Sequence, residues 1–271
     1  MARMKGAVAA GALVTTAILA VLLPFLWVLL ASLKPPDLLA RPEVLAFAPD
    51  LRHWRAVLLE SDVPRYALNS LIVGVSTVAI ALLAATPAAY TLSRWRTGGA
   101  SARFAILAAE MLPPAVVIVP LFLILWSLAL TNSLVAVVLA HLTFVLPVVT
   151  WFLIGFIDDL PRELEEQAMI DGHTRFQAFR RVVVPALRPG LGAAAVLGFV
   201  LSWNDMFYAL ILTGGQSKTL PVAIAGYWTF RGIEMGKMAV AILLSVVPVT
   251  VAAFFVQKHL VRGLGGGALK M

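Results

Sequence analysis

Apolar residues in this chain are gathered into six long runs, and polar segments separate the runs. The runs cover residues 7–32, 67–92, 104–128, 134–157, 190–212 and 238–256. Each is close to or above the length of about 20 apolar residues that crosses the hydrocarbon core of a bilayer as an α-helix. The pattern therefore predicts an all-α, multi-pass membrane protein with six transmembrane helices in one domain over residues 1–271.

Two of the six runs contain or follow residues that bear on the kind of helix they form. Pro113 and Pro114 lie in the middle of the third run, where a proline removes a backbone donor and clashes with the preceding turn. We therefore expect the third helix to be kinked or broken there. The first run follows Arg3 and Lys5, as a signal peptide would, but it is longer than the apolar core of a signal peptide. We expect it to be an uncleaved transmembrane helix.

Composition agrees with the apolar pattern, since 61% of the residues are hydrophobic, 13% are charged and the mean hydropathy is +0.94. Soluble domains carry about 25% charged residues. The chain has no cysteine, which excludes disulfides and thiolate metal sites. The net charge of +7 is interpreted as basic flanks that orient membrane helices rather than as a surface for nucleic acid.

The distribution of basic residues predicts the orientation of the helices, because Lys and Arg accumulate on the cytoplasmic side. With the N-terminus inside, 13 of the 21 Lys and Arg residues fall in the predicted inner segments. Six spans place the two termini on the same side. We therefore expect both termini in the cytoplasm, together with the polar segment 158–188 between the fourth and fifth spans.

Segment 158–188 concentrates charge in an otherwise apolar chain and predicts two helices joined by a turn. Pro161 suits the start of a helix, where its missing N–H is not needed, and the residues from Arg162 to Ile170 are good helix formers. Gly172 predicts the end of this first helix, because glycine adopts the left-handed conformation of a C-cap freely.

A second helix is predicted to begin after Thr174, which forms the capping-box pattern T-x-x-Q with Gln177. Its predicted end is Pro185. An apolar face at helical spacing is expected from Phe176, Phe179, Val182 and Val183.

Two other interpretations of this segment are weaker. A DNA-binding helix-turn-helix would be tethered between two membrane spans and would begin with an acidic helix, so we expect no nucleic-acid partner. A helix resting on the membrane surface would place the same acidic residues against an anionic leaflet. Acidic and small residues around Ala168 suit docking into a groove of another protein instead.

The same segment resembles the cytoplasmic signature loop of binding-protein-dependent ABC importer permeases, written E-A-A-x3-G-x9-I-x-L-P. Here Glu166, Gln167 and Ala168 are followed at matching distances by Gly172 and Pro185. This sequence departs from the pattern in having glutamine for the first alanine and valine at both aliphatic positions.

Further motifs extend the resemblance from Asn69 to the end of the chain. They are Asn69-Ser70-Leu71, Ala88-Ala89-Tyr90 with Arg94, Pro120-Leu121-Phe122, Leu160–Glu165, Ser202-Trp203-Asn204-Asp205, Leu220-Pro221-Val222 and Leu260–Leu264. Together they are similar to the carbohydrate branch of the family, and most similar to the six-helix partner of the maltose-type permease pair.

The resemblance implies a type I ABC importer permease fold, with a cytoplasmic coupling helix in the loop between spans four and five. In the family, this helix docks in a cleft on a cytoplasmic ATPase subunit and moves with it. The coupling residues that the resemblance implies for this chain are Glu166, Gln167, Ala168, Asp171 and Gly172.

Partners and cofactors are implied in the same way. The chain is expected to work with a second permease subunit, two copies of a cytoplasmic ATPase and an extracytoplasmic sugar-binding protein, in the cytoplasmic (inner) membrane of a prokaryote. ATP and Mg²⁺ are expected on the ATPase, because this chain contains no G-x-x-x-x-G-K-[ST] motif. We expect no cofactor in the chain itself and no enzymatic activity of its own.

Polar residues at membrane depth are candidates for the substrate path. Glu110 lies in the third run and Asp205 in the fifth, and ionisable groups at depth are costly and by default functional. Asn204 and Trp203 add a hydrogen-bonding group and a flat apolar face, a mixture that suits a pyranose. The alternatives are structural. Glu110 would form a buried ion pair or hydrogen bond that fixes the helix bundle, and Asp205 would be hydrated because it lies near the outer end of its span.

The leading functional interpretation is a permease subunit that imports a sugar, a disaccharide or oligosaccharide, by alternating access. A secondary transporter with Glu110 and Asp205 as an ion relay would leave the polar loop unexplained. A polyol or a glycerol phosphate ester is the alternative substrate class. Binding a phosphate ester would require Lys or Arg side chains in the substrate path, and spans three to five contain neither residue.

A membrane-embedded hydrolase or transferase is a third functional class. It would need a convergent acid, base and nucleophile, and the sequence shows no such spacing. The histidines are scattered and predict neither a metal site nor a catalytic triad, at His53, His141, His173 and His259.

Overall fold

The computed structural model describes residues 2–230 and 232–265, and these residues are mostly helical. The α-helices are α1 (Ala2–Leu33), α2 (Arg52–Leu59), α3 (Val63–Arg94), α4 (Gly99–Glu110), α5 (Pro114–Ser127), α6 (Leu134–Asp158), α7 (Glu163–Ile170), α8 (Arg175–Ala178), α9 (Val184–Ala186), α10 (Arg188–Asn204), α11 (Phe207–Leu212), α12 (Leu220–Ala225) and α13 (Met235–Gly265). A π-helix (Phe179–Val183) joins α8 to α9, and 3₁₀ helices lie at Pro36–Leu38 and Gly215–Ser217.

One short hairpin departs from the all-α prediction. Strands β1 (Trp228–Thr229) and β2 (Gly232–Ile233) pair antiparallel. The hairpin lies between α12 and α13. It is too small to change the fold class, and the prediction of a helical membrane protein is confirmed.

Four helices of the described residues are long and apolar enough to cross a membrane. They are Leu13–Leu33, Val63–Arg94, Leu134–Asp158 and Met235–Phe254. Two bent pairs pass the same test when each pair is taken as one span: α4 with α5, bent by 88°, and Arg175–Ala186 with α10, bent by 71°. Counted in this way, the described residues contain up to six spans, which is the predicted number. The second bent pair differs from the fifth apolar run, 190–212, because it begins within the polar segment 158–188 and ends at Asn204.

The expected break in the third span is confirmed. Helix α4 ends at Glu110, and α5 begins at Pro114. Pro113 adopts φ −58° and ψ 132°, which is the extended conformation favoured for a residue that precedes a proline. The consecutive prolines therefore divide the span into two separately directed halves.

The fifth apolar run is also divided, which the sequence analysis did not predict. Helix α10 ends at Asn204, Asp205 is extended with φ −67° and ψ 127°, and α11 starts at Phe207. Residues 190–212 therefore do not form one continuous helix. The break places a carboxylate at the start of α11, where it accepts hydrogen bonds from the backbone.

The chain forms two compact units. One contains the chain up to residue 65 together with residues 223–247, and the other contains residues 66–222 together with the chain from residue 248 onward. In the first unit, the span Leu13–Leu33 has no buried residue in its apolar window. Such a surface suits contact with lipid or with another membrane helix.

The core of the second unit lies between α3, α6 and α10. Their buried residues form one cluster, which includes Ala85, Leu153 and Ala194. Glycines permit close approach of the helices: a Cβ atom on Gly198 would lie 3.1 Å from Val145, and one on Gly190 would lie 2.7 Å from Phe156. Small residues at helix contacts are the usual device for packing membrane helices.

Candidate functional site

The first helix of the polar segment, α7, ends as the sequence predicts. Gly172 has φ +88°, and its N–H donates to the carbonyl of Met169 at 3.1 Å. The N–H of His173 donates to the carbonyl of Ala168 at 3.0 Å. These two bonds form a Schellman motif, which closes the helix and reverses the chain direction.

The predicted capping box of the second helix is also present. The hydroxyl of Thr174 accepts from the backbone N–H of Gln177 at 3.3 Å, and the side-chain oxygen of Gln177 accepts from the N–H of Thr174 at 2.8 Å. The turn between the helices is therefore fixed at both ends by local hydrogen bonds.

The predicted end of the second helix at Pro185 is wrong. The chain widens into a π-helix over Phe179–Val183, where the N–H of Val184 donates to the carbonyl of Phe179, and it continues helically to Ala186. The wider turn changes the hydrogen-bond pattern next to Pro185, which has no N–H of its own to donate. The expected apolar face is also incomplete, because Phe176 is 69% exposed.

A buried ion pair anchors α7 to the end of α3. The carboxylate of Glu165 accepts from Nε of Arg94 at 2.5 Å and from the hydroxyl of Tyr90 at 2.8 Å. A second guanidinium nitrogen of Arg94 donates to the carbonyl of Leu160 at 3.0 Å. The side chains of Arg94 and Glu165 are 7% and 10% exposed, so each charge depends on its partner.

No separate role was predicted for Glu165. Together with Tyr90 and Arg94, it belongs only to the motifs that carry the family resemblance. Glu165 and Ala168 are three positions apart and so share one helix face, but the sequence does not indicate that this face is the buried one. Both are buried, and this face of α7 is therefore the inner one.

The opposite side of α7 is exposed and carries most of the predicted coupling residues. Glu166, Gln167, Asp171 and Gly172 are exposed. Ala168 is not among them, because it is 6% exposed and packs within the chain. The prediction that Ala168 takes part in docking as a coupling residue therefore does not agree with its buried position.

Apolar side chains add to the exposed surface of the segment. Ile170 is 84% exposed, and Leu164, Met169 and Phe176 are exposed as well. An apolar patch mixed with carboxylates on a helix that lies outside the spans is typical of a protein contact. We use the name "coupling face" for Glu166, Gln167, Ile170, Asp171 and Phe176.

The candidate residues at membrane depth occupy three different environments. Trp203 is 2% exposed and stacks on Phe199, with 5.5 Å between ring centroids. Asn204 is exposed and donates to the carbonyl of Val200 at 2.8 Å. Glu110 is exposed at the end of α4, beside the break of the third span, and has no ion-pair partner among the described residues.

Asp205 forms a polar cluster with α6. Its carboxylate lies 3.1 Å from Nε2 of His141 and accepts from the N–H groups of Tyr208 at 3.2 Å and Ala209 at 3.3 Å. The other ring nitrogen of His141, Nδ1, lies 2.7 Å from the hydroxyl of Ser202. His141 was not predicted as a partner of Asp205, which lies 64 residues further along the chain.

Ser202, His141 and Asp205 have the composition of a catalytic triad, but the surroundings do not suit catalysis. Ser202 and His141 are 4% and 1% exposed, so no substrate reaches the hydroxyl in this structure. The carboxylate also caps α11, which is a structural role. Because these contacts join α6, α10 and α11, we interpret the cluster as a buried hydrogen-bonded joint at the break of the fifth span.

The structure places no three potential metal ligands together among the residues it describes. His53, His141 and His173 lie apart, with different hydrogen-bond partners. His259 lies within α13, in a part whose side chains are outside the description.

Comparison with known proteins places this geometry in a family. Residues 77–266 match the model described as "Binding-protein-dependent transport system inner membrane component". The chain is 33% identical over 253 residues to the trehalose transport system permease protein of Mycobacterium tuberculosis, with 92% of each chain covered. It is 32% identical over 251 residues to a diacetylchitobiose uptake system permease protein of Streptomyces coelicolor, with 91% of each chain covered.

A solved structure shares the fold. One chain of the crystal structure of a bacterial ABC transporter, involved in the import of the acidic polysaccharide alginate, matches with a TM-score of 0.76 at 21% identity. The match covers 94% of this chain and 96% of that chain. The type I permease fold is therefore confirmed. Since the family model also matches most of the chain, the chain belongs to the inner membrane components of binding-protein-dependent transport systems.

Proposed function

We propose that this chain is a permease subunit of an ATP-driven ABC importer that moves a disaccharide or oligosaccharide across the cytoplasmic membrane by alternating access. Family membership supports the importer over a secondary transporter. The names of the two relatives, a trehalose permease and a diacetylchitobiose permease, support a substrate with more than one sugar ring.

The observation that supports the coupling role is that α7 has one side fixed within the chain and the opposite side exposed. One side is fixed to the end of a long membrane helix through Glu165 and Arg94. The other side of α7, together with Phe176 of α8, presents the coupling face to solvent. A helix held in this way transmits a displacement of its outer side to α3, because a buried ion pair with hydrogen bonds on both partners resists separation.

ATP hydrolysis belongs to a separate subunit in this proposal. Two copies of an ATPase would hold ATP and Mg²⁺ and receive the coupling faces of this chain and of a second permease. Moving a two-state equilibrium from 1:99 to 99:1 takes about 5.5 kcal/mol of differential binding. ATP and the sugar-loaded binding protein supply that difference, and this chain transmits it.

The substrate path retains two of the four candidates. Asn204 and Glu110 are exposed beside the breaks of the fifth and third spans, where an amide and a carboxylate can reach sugar hydroxyls. Trp203 and Asp205 act behind this surface, because Trp203 is buried and Asp205 is engaged by His141 and the backbone. The second permease would supply the facing wall.

The proposed orientation puts both termini, the α3–α4 loop and the coupling face in the cytoplasm. It places the hairpin and the segment between α1 and α3 outside, toward the binding protein. The excess of Lys and Arg in the segments assigned to the inside supports it.

Reconstitution tests the proposal. The chain, its partner permease and the ATPase are placed in proteoliposomes with the binding protein, and uptake of labelled trehalose, diacetylchitobiose and glycerol 3-phosphate is measured with and without ATP. We expect ATP-dependent uptake of a disaccharide and none of the phosphate ester. Uptake driven by an ion gradient, without the ATPase, would contradict the proposal.

A further inference from the structure

A cavity of about 470 Å³ lies beside the loop that joins α3 to α4. Its lining includes Arg96, Arg103 and Arg162, together with Asp158 and the start of α4 at Gly99 and Ala100. Three guanidinium groups against one carboxylate leave a net charge of +2 in the lining. The cavity is distinct from the coupling face and from the candidates at membrane depth.

The single carboxylate of the cavity is already occupied. Asp158 accepts from Arg103 at 3.1 Å and 3.3 Å, and from the hydroxyl of Ser93 at 2.5 Å. Arg103 also donates to the carbonyl of Leu92 at 3.2 Å. Arg96 and Arg162 are exposed, and neither forms an ion pair with any residue that the structure describes. Two guanidinium groups are therefore left for an anion.

The backbone at the rim contains three residues in the left-handed conformation within one tight turn. Arg96, Gly98 and Gly99 have φ of 49°, 72° and 62°, and the N–H of Gly99 donates to the carbonyl of Arg96 at 2.7 Å. This tight turn holds Arg96 beside the first turn of α4, whose N–H groups carry the positive end of the helix dipole. The arginine charges and the helix dipole therefore both favour an anionic ligand.

An apolar strip leads away from the cavity along α4. Phe104 lies four positions after Ala100 and is 67% exposed, and Met111, the C-cap residue that follows α4, lies seven positions further and is 79% exposed. Residues at these spacings share one face of a helix. A ligand with a phosphate group and an acyl chain can therefore place the first in the cavity and the second along the strip.

We propose that this cavity binds a phosphate group, and that the group belongs to an anionic phospholipid. Arginine suits phosphate because its planar guanidinium donates two parallel hydrogen bonds. The apolar strip favours a lipid over a free phosphate. The inference goes beyond the proposed function and uses its orientation only to place the lipid in the cytoplasmic leaflet, where basic pockets beside membrane helices bind such headgroups.

The test is an equilibrium titration of the assembled, detergent-solubilised transporter with short-chain phosphatidylglycerol, in which native mass spectrometry counts the bound lipids. Short-chain phosphatidylcholine and inorganic phosphate are titrated in parallel. We expect binding of phosphatidylglycerol in preference to phosphatidylcholine. The double variant Arg96→Gln/Arg162→Gln should weaken it by roughly 25-fold, since each basic residue contributes a factor of about five.

Control variants distinguish loss of the binding site from a general loss of positive charge and from misfolding. Arg188→Gln removes an exposed basic residue outside the cavity and should change binding less than about twofold. Arg96→Lys keeps the charge and should retain preferential binding. Phe104→Ser should weaken binding of the lipid and leave binding of inorganic phosphate unchanged.

Three results would decide against parts of the proposal. Equal binding of the two lipids, or equal binding to wild type and to the double variant, would overturn the phosphate site. Loss of the ATPase or the partner permease from the double variant, with lipid binding unchanged, would overturn it in favour of a protein contact. If inorganic phosphate binds the cavity as tightly as phosphatidylglycerol and Phe104→Ser changes neither affinity, the phosphate site stands but the lipid is overturned in favour of a soluble anion.

Discussion

The carboxylate of Glu165 accepts a hydrogen bond from Nε of Arg94, 71 positions earlier in the chain, at 2.5 Å. This contact joins a short helix of the polar segment to the end of a membrane span. Both partners are largely buried. The proposed coupling between α7 and α3 therefore depends on this ion pair, and the effect of removing it can be measured.

Removing Glu165 should destabilise the protein strongly. Glu165→Ala leaves the Arg94 charge buried without its partner, and breaking a buried pair in this way costs about 3–5 kcal/mol. The measurement is thermal or denaturant unfolding in detergent. Glu163→Ala is the matched control, because Glu163 is an exposed glutamate on the same helix, and it should change stability by less than about 1 kcal/mol.

A double-mutant cycle isolates the pair itself. If Glu165→Ala and Arg94→Ala each destabilise the protein and the double variant costs much less than their sum, the two residues interact directly. Additive effects would show that the contact has no energetic role and would remove the proposed connection between α7 and α3.

Gly172 should be needed for its conformation and not for its size. No atom lies within 4 Å of a Cβ added at Gly172 or at Gly192, but only Gly172 has a positive φ, +88°. Gly172→Ala should therefore cost about 1–2 kcal/mol, while Gly192→Ala, inside α10, should stabilise slightly.

The same glycine tests coupling. Gly172→Pro cannot adopt the left-handed conformation and loses the N–H bond to Met169, so we expect the complex to assemble with ATP hydrolysis uncoupled from transport. ATPase activity and sugar uptake are measured on one preparation. Normal sugar uptake by this variant would rule out the coupling role of the turn.

The exposed apolar residue Ile170 should contribute to ATPase binding without contributing to folding. Ile170→Ser should weaken retention of the ATPase by roughly fivefold to tenfold, because residues central to an interface cost more than about 1 kcal/mol when truncated. Stability of the isolated chain should stay within about 0.5 kcal/mol. Leu59→Ser, at a position 78% exposed in α2, is the control and should leave ATPase retention unchanged.

Neighbouring residues 204 and 205 should behave differently. Asp205→Ala removes a helix cap and a partner of His141, and should destabilise the protein by about 2 kcal/mol. Asn204→Ala should leave stability within about 0.5 kcal/mol and weaken sugar binding in the transport assay roughly tenfold, the equivalent of one hydrogen bond. A stability loss for Asn204→Ala equal to that of Asp205→Ala would contradict the division of roles.

Features encoded locally were predictable from the sequence. The apolar runs, the break at Pro113, the Schellman turn at Gly172 and the capping box of Thr174 and Gln177 each depend on residues a few positions apart. Their physical causes, which are span length, missing donors and positive φ, are properties of short stretches.

Features that depend on distant partners were not predictable. Three glutamates stand close together in α7, and only packing against Tyr90 and Arg94 determines that Glu165 is the buried one. The same packing turns Ala168 inward. His141 and Asp205 are 64 residues apart, so their contact depends on how α6 and α10 pack, which no local pattern encodes.

The central claim is that this chain works as one subunit of a larger importer through its coupling face. The most direct measurement is native mass spectrometry of the chain, purified gently from its own membrane without added partners. We predict that it appears with one other membrane subunit and two copies of an ATPase. Finding it alone or as a homo-oligomer that transports sugar without ATP would contradict the account.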